Sequence, residues 1–234
     1  MSTNTAQMAR TIRWLQVYAT LMTVALAVLF VRSGTATDGV IRARGLIIED
    51  EAGRERILIG APVPEAANRV RTDEARVRGA WASRYPDSDA YMGYYQDYNH
   101  DTNGMLILSE DGFDRLAVGD PTPDPNIGRR IAPSTGMVIN DAEGYERMGY
   151  GVKPMDGRYR VSLGLDTDRI AEGLVLILDD DGPRGILVGT VADGVFLGSV
   201  PAGHAWTSLA EEFQGLLVRR DGEIVHKLNL ADGN

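Results

Sequence analysis

The sequence predicts an all-β domain of hairpin repeats carried on a single N-terminal transmembrane helix. Two observations carry that prediction. A sixteen-residue frame recurs in Gly45 to Gly60 (GLIIEDEAGRERILIG), Gly104 to Gly119 (GMLILSEDGFDRLAVG) and Gly136 to Gly151 (GMVINDAEGYERMGYG). Each copy reads Gly, an apolar run, an acidic turn closing on Gly, two residues, Arg and a final Gly. Ahead of the copies, Trp14 to Val31 runs eighteen residues without a charge.

The frame has the chemistry of a β-hairpin. Leu106-Ile107-Leu108 and Leu116-Ala117-Val118 are β-formers flanking Glu110-Asp111-Gly112, and that Gly supplies the positive φ of a tight turn. A fourth copy, Gly173 to Gly189, has one extra residue before its turn and Gly185 in place of the Arg; a fifth, Gly215 to Leu230, is eroded, as terminal repeats are. First strands such as Leu46-Ile47-Ile48 and Leu174 to Leu178 are unbroken apolar runs, which predicts cover on both faces. A lone hairpin is marginal in water, so the copies must pack on one another. Uneven spacing of the repeats disfavours a regular solenoid and points to a propeller-like array or a sandwich of hairpins. Arg56, Arg115 and Arg147, the recurrent arginines, are expected as solvated strand residues near the turn carboxylates.

In chain order, residues 1–13 read as a short tail and 14–31 as the helix. Eighteen residues rising ~1.5 Å each span about 27 Å, close to a hydrocarbon core of roughly 30 Å. Trp14 and Tyr18 occupy interfacial positions and Arg32 closes the span. A cleaved signal peptide, with Gly34-Thr35-Ala36 as its processing site, is the competing reading. The apolar run exceeds the roughly 7 to 15 residues of a signal peptide, so an uncleaved anchor in the lipid bilayer is expected. The tail carries Arg10 and Arg13 and no acid, whereas Asp38, Glu49 and Asp50 follow the helix. Arg32, Arg42 and Arg44 match Arg10 and Arg13 in number, so counting Arg alone leaves the orientation open, and it is the acidic residues that make the expectation a tail in the cytoplasm and a domain in the periplasm, at a bacterial inner membrane.

Residues 32–39 read as a linker and 40–234 as the domain, with an insertion at 61–103. Pro64 to about Ala82 has helical composition. Behind it Tyr85, Tyr91, Tyr94, Tyr95 and Tyr98 crowd into fourteen residues. Tyr91, Tyr94, Tyr95 and Tyr98 are candidate partner contacts, since a tyrosine ring buries area at low entropy cost and keeps a polar handle. An aromatic flap folded over its own domain is the equal alternative. Pro121 to Pro133 reads as a loop, Arg158 to Leu165 and Val195 to Val200 as strands, and Ala205 to Phe213 as a short helix.

Composition narrows the chemistry. A net charge of −9 lacks the basic face that nucleic acid demands. With no Cys there is no thiolate metal site and no covalent haem attachment. Asn99 to Glu110 comes near the calcium-loop pattern, with Asn99, Asp101, Asn103 and Glu110 as candidate ligands, but those positions overlap the second hairpin frame. His100, His204 and His226 lack paired spacing, and Asp179-Asp180-Asp181 falls in a turn, where solvated Asp is ordinary. No nucleotide, hydrolase or dinucleotide motif is present. The expectation is a non-enzymatic structural or docking subunit, without cofactor, whose partners are integral membrane protein subunits. An extracytoplasmic ligand- or calcium-binding module, and an enzyme built from scattered residues, are the alternatives.

The anchor Trp14 to Val31 joined to these hairpins resembles repeat-bearing extracytoplasmic proteins of bacteria. It also resembles the accessory subunits that clamp bacterial photosynthetic reaction-centre and antenna complexes with one helix and a periplasmic domain. That resemblance implies a role in stabilising a photosynthetic reaction-centre and light-harvesting assembly. The helix has no His, so pigment ligation is not implied.

Overall fold

A computed structural model describes residues 2–34, 41–97, 100–123, 134–155, 157–170 and 173–230. The chain divides into two units, Met1–Ala43 and Arg44–Asn234. The first holds α1 (Ser2–Gly34), which is longer than the sequence suggested: the tail and the start of the expected linker are helical too. Within it Arg10–Val28 is long and apolar enough to cross a membrane. Trp14 and Tyr18 are exposed on it, and Arg32 lies in its last turn.

The second unit is mostly β. Its twelve strands are β1 (Gly45–Glu49), β2 (Glu55–Gly60), β3 (Gly104–Leu108), β4 (Asp114–Gly119), β5 (Thr135–Asn140), β6 (Glu146–Met155), β7 (Arg158–Leu165), β8 (Leu174–Asp179), β9 (Arg184–Gly189), β10 (Gly194–Val200), β11 (Phe213–Arg220) and β12 (Glu223–Asn229). They form one antiparallel sheet in sequence order. The second strand of each hairpin bonds to the first strand of the next, as in Ile57↔Ile107 and Leu116↔Ile139. The hairpins are therefore neither blades of a propeller nor separately bonded layers. Their unit of packing is lateral hydrogen bonding.

The turns form as the frame dictates. Gly53, Gly112, Gly144 and Gly222 have φ between 74° and 82°. In the first turn the Gly53 amide donates to the Asp50 carbonyl at 2.9 Å, and the Asp50 carboxylate accepts from the Ala52 and Arg54 amides at 3.0 Å. Asp141 does the same for Glu143 and Tyr145. Each such turn ends in a register shift, as between Ile48 and Glu49, the mark of a turn closed by a glycine bulge.

The glycines that open and close each frame are cross-strand partners: Gly45↔Gly60, Gly104↔Gly119 and Gly136↔Gly151. The pairing continues between hairpins, Gly60↔Gly104 and Gly119↔Gly136, and resumes as Gly185↔Gly198↔Gly215. Gly185, the departure of the fourth copy, thus keeps the row going. A Cβ on Gly104, Gly136 or Gly185 would overlap a backbone carbonyl of the neighbouring strand. At these glycines the strands pass too closely for a side chain, whereas β7 and β8 carry Ser162 and Ile177 in the same row.

Beside that row lie the buried side chains of the inner face: Leu58, Leu106, Ala117, Val138, Val175, Leu187, Phe196 and Leu217. Two segments cover them. Residues 61–103 form short turns, α2 (Glu74–Ala80) and α3 (Ser88–Gln96), in place of the single helix expected from Pro64 to about Ala82. Asp73 and Asp87 cap these helices. Val63 and Ala66 join Leu58, Leu106 and Leu108. Trp81 packs on Phe113 at 6.0 Å and donates from Nε1 to the Glu143 carbonyl at 2.8 Å. At the other end residues 201–212 are turns rather than a helix, yet Trp206 and Leu209 still pack with Phe196 and Phe213.

Candidate functional site

The outer face of the sheet is where this fold departs from a self-sufficient domain. Because every strand pairs in step with the last, directly opposed residues form rows that cross all twelve strands. One row runs Leu46↔Ile59↔Met105↔Val118↔Met137↔Tyr150 and on through β7 to β12, ending at Leu228. All twelve of its members are apolar or aromatic. The next row, from Ile48 to Val218 and His226, has eleven apolar members of twelve. None of these residues is buried, and Leu197 reaches 54 % exposure, Val188 49 % and Tyr150 48 %.

At ~4.8 Å between strands, twelve strands make a greasy band on the order of 50 Å long. Scattered surface hydrophobes need no explanation, but a contiguous apolar band marks an interaction surface. The apolar runs predicted cover on both faces; among the described residues of the β unit only the inner face receives it. The signal for the outer band was in the sequence, as the apolar residues that alternate with Leu58 and Leu106.

Two edges accompany the band. β1 and β12 each have one neighbour, and both are exposed almost throughout.

The recurrent arginines stay partly solvated, and Arg56 and Arg147 lie beside the turn carboxylates as expected, but all three also stitch hairpins together. Arg56 donates from Nε to the Leu108 carbonyl at 3.1 Å and from Nη1 to Asp50 at 3.1 Å. Arg115 reaches the Asn140 carbonyl, and Arg147 the Thr167 carbonyl and the Asp141 carboxylate. Each ties its own hairpin to the far end of the next strand. Desolvation pushes the Asp50 carboxyl up, but the Arg54 amide, the guanidinium groups of Arg56 and Arg54 and the Ala52 amide together bring it down to about 2.

The candidate partner tyrosines do not share one surface. On α3, Tyr91 and Tyr95 point inward with Met92, at 7 % and 5 % exposure, while Tyr94 is 62 % exposed. Spacing of four residues puts the first two on one helical face. Tyr98 lies outside the described residues. Tyr95 donates its hydroxyl to the Arg71 carbonyl and stacks near His100, ring centroids 4.2 Å apart.

That contact belongs to a buried polar cluster which no sequence pattern announced. Arg69 grips Asp114 through Nε and Nη2 at 2.8 and 2.7 Å, and Arg71 approaches the same carboxylate at 3.4 Å. All three side chains are nearly inaccessible. Burial opposes ionisation of Asp114, but the Arg69 charge holds its carboxyl below the ordinary value. His100 is pushed down, first by burial and then by Arg71; its Nε2 lies 2.8 Å from the Tyr95 carbonyl and so carries the proton. This cluster pins the insertion to β4 rather than facing a cleft.

The calcium candidates are separated by a strand. Asp101 and Asn103 precede β3, Asn103 donating to the Asp120 carbonyl, whereas Glu110 sits in the turn beyond it and pairs with Arg54. Asn99 lies outside the described residues, among which no cluster of three His, Asp or Glu side chains forms a metal site. An open groove of about 590 Å³ is lined by Arg84, Tyr85, Asp141, Glu143, Tyr145, Arg147 and Asp168. Its charges are matched to one another, Arg84 to Glu143 at 2.8 Å and Arg147 to Asp141 and Asp168.

No family model, curated protein or solved structure matches this chain.

Proposed function

We propose that this protein is a non-enzymatic structural subunit, anchored in a bacterial inner membrane by α1, which docks on another subunit of a membrane complex through the outer face of its sheet. The observation that carries the reading is the two-row band, with 23 apolar or aromatic residues at its 24 positions and none buried. The Tyr150 hydroxyl and the His226 ring are the only side-chain groups in it with a strong hydrogen-bonding atom, so the surface that fits it is apolar. The unbroken apolar runs make sense once a partner covers the band. Residues Arg10–Val28 bring the domain to a membrane, where integral membrane subunits supply such surfaces. The resemblance in architecture nominates reaction-centre and antenna assemblies as the complex to examine first, with the domain on the periplasmic side.

The test compares native-membrane particles containing the wild-type chain with particles containing Tyr150→Lys/Leu197→Lys. In mild detergent the wild type should co-migrate with an integral membrane complex, and pigment absorption of that particle decides whether it is photosynthetic. The double variant should leave the particle while keeping its own melting temperature. Unchanged co-migration of the folded variant would remove the band from the interface.

A further inference from the structure

We infer that copies of this chain join edge to edge, β12 of one against β1 of the next, into a head-to-tail array. The inference uses the membrane anchoring proposed above, but not the identity of any partner complex.

Free sheet edges are dangerous, and proteins that stay monomeric blunt them with proline, lysine, mid-strand bulges or a covering segment. β1 reads GLIIE: no proline, no lysine, and its only register shift falls at the turn. All five of its residues are exposed. β12 reads EIVHKLN, with Ile224, Val225 and Leu228 exposed and Lys227 as its only lysine. Among the described residues β1 and β12 are not paired with each other in the sheet.

The two edges complement each other. In a meander of twelve strands the first and last run in opposite directions, so β12 beside β1 extends the antiparallel pattern already present eleven times. Along any row of opposed residues, hydrogen-bonded and non-bonded pairs alternate. An even strand count therefore leaves outward-pointing amides and carbonyls of β1 in phase with those of β12. Placing Glu49 opposite Lys227 sets Leu46 beside Leu230 and Ile48 beside Leu228. The row ending at Leu228 then continues into the Ile48 row of the next copy, Leu230 lies beside the start of the Leu46 row, and a cross-strand charge pair forms on the inner face. Among the described residues Lys227 pairs with the exposed Glu211, at 3.7 Å.

Anchoring favours this arrangement over a two-fold one. Pairing β1 with β1, or β12 with β12, reverses the strand direction of one copy against the other and lacks the Glu49–Lys227 pair. Head-to-tail pairing repeats one orientation from copy to copy, so whichever orientation lets one copy's anchor enter a bilayer serves every copy. Such heterologous contacts close into rings or run on as arcs.

Because the chain has no cysteine, introduced thiols report without background. Full-length Glu49→Cys and Lys227→Cys variants are each purified in mild detergent, then treated with a short bismaleimide alone and mixed. A covalent dimer should appear in the mixture and not in either variant alone, and the double variant should give a ladder. With the thiols moved to Ile47→Cys and Asn229→Cys, Glu49→Lys should abolish the dimer, and Glu49→Lys with Lys227→Glu should restore it. A mixture that gives no dimer overturns the inference. So does dimerisation of either single variant, which means two-fold pairing, or linkage of the double variant within one chain, which means closure into a barrel. Loss of co-migration with a membrane complex, with these cross-links intact, counts only against the docking reading.

Discussion

The glycine row makes two substitutions of the same kind act in opposite directions. A Cβ on Gly136 would overlap the Tyr150 carbonyl oxygen and stand 2.7 Å from the Gly151 Cα, all of it backbone in the paired strand β6. No side chain can swing aside, so relief requires prying β5 from β6. Overpacking of this kind costs about 1 to 3 kcal/mol. Against it stands the ~0.4 to 1 kcal/mol gained whenever alanine replaces glycine and narrows the unfolded ensemble. Gly136→Ala should therefore destabilise by about 1 to 2 kcal/mol. Gly164, on the same inner face in β7, has nothing within 4 Å of its ideal Cβ and no positive φ. Gly164→Ala keeps only the entropic gain. For a domain of this size 1 kcal/mol shifts the melting temperature by ~2 to 4 °C. Thermal unfolding of the full chain in detergent, followed by near-ultraviolet circular dichroism, should show a fall of about 3 to 6 °C for the first and a rise of about 1 to 3 °C for the second. Equal losses would refute the close-approach account of the row.

Adjacent residues on β10 separate the two faces: Phe196→Ala, at 1 % exposure, should cost ~3 to 5 kcal/mol in urea unfolding, whereas Leu197→Lys, at 54 %, should stay within about 0.5 kcal/mol. Asp114→Asn leaves two buried guanidinium groups facing a neutral amide and should cost ~3 to 5 kcal/mol, read as the urea midpoint, with the loss largest in probes placed in the insertion. Burial and then Arg71 hold His100 below its ordinary value, so folding favours the neutral ring. Its contribution is complete above about pH 6.5 and declines as pH falls towards the folded value; His100→Asn should flatten the stability profile in that window. Asp50 behaves in the usual carboxylate sense. Its stabilisation is present above its ordinary 3.8 and is lost as pH falls towards about 2, a loss absent from Asp50→Asn.

Much of this architecture was legible because the frame acts locally. Turn glycines, β-formers and the spacing between them are sequence-near quantities, and the strands at Arg158–Leu165 and Gly194–Val200 fell within a residue of expectation. The frame-ending glycines read as punctuation; their pairing across the hairpin depends on a register that only the fold supplies. The Arg69, Arg71 and Asp114 cluster joins residues more than forty positions apart, with no periodicity to betray it. At 205–213 apolar spacing alone predicted a helix, but Gly203 with positive φ and the Thr207 amide bonded to the His204 carbonyl set a chain of turns instead. The same apolar residues reach the same core without the helix. Tyr91 and Tyr95 were grouped with Tyr94 by proximity in sequence, whereas α3 sorts them by face.

The two faces of the sheet draw on one repeat and meet different fates. Each strand of the frame alternates residues between faces, so whatever duplicated the hairpin duplicated both apolar surfaces together. Among the described residues cover lies on one side only: the insertion over the inner face of the early strands, and 201–212 over that of β10 and β11. Had the outer band been neutral, drift would have placed charge there as freely as at Glu51, Glu110 and Asp221 in the turns. Instead eleven of twelve and twelve of twelve positions are apolar although none is buried. A bare apolar band is costly in water, through solubility and misassembly, and that cost is what the proposed docking would remove.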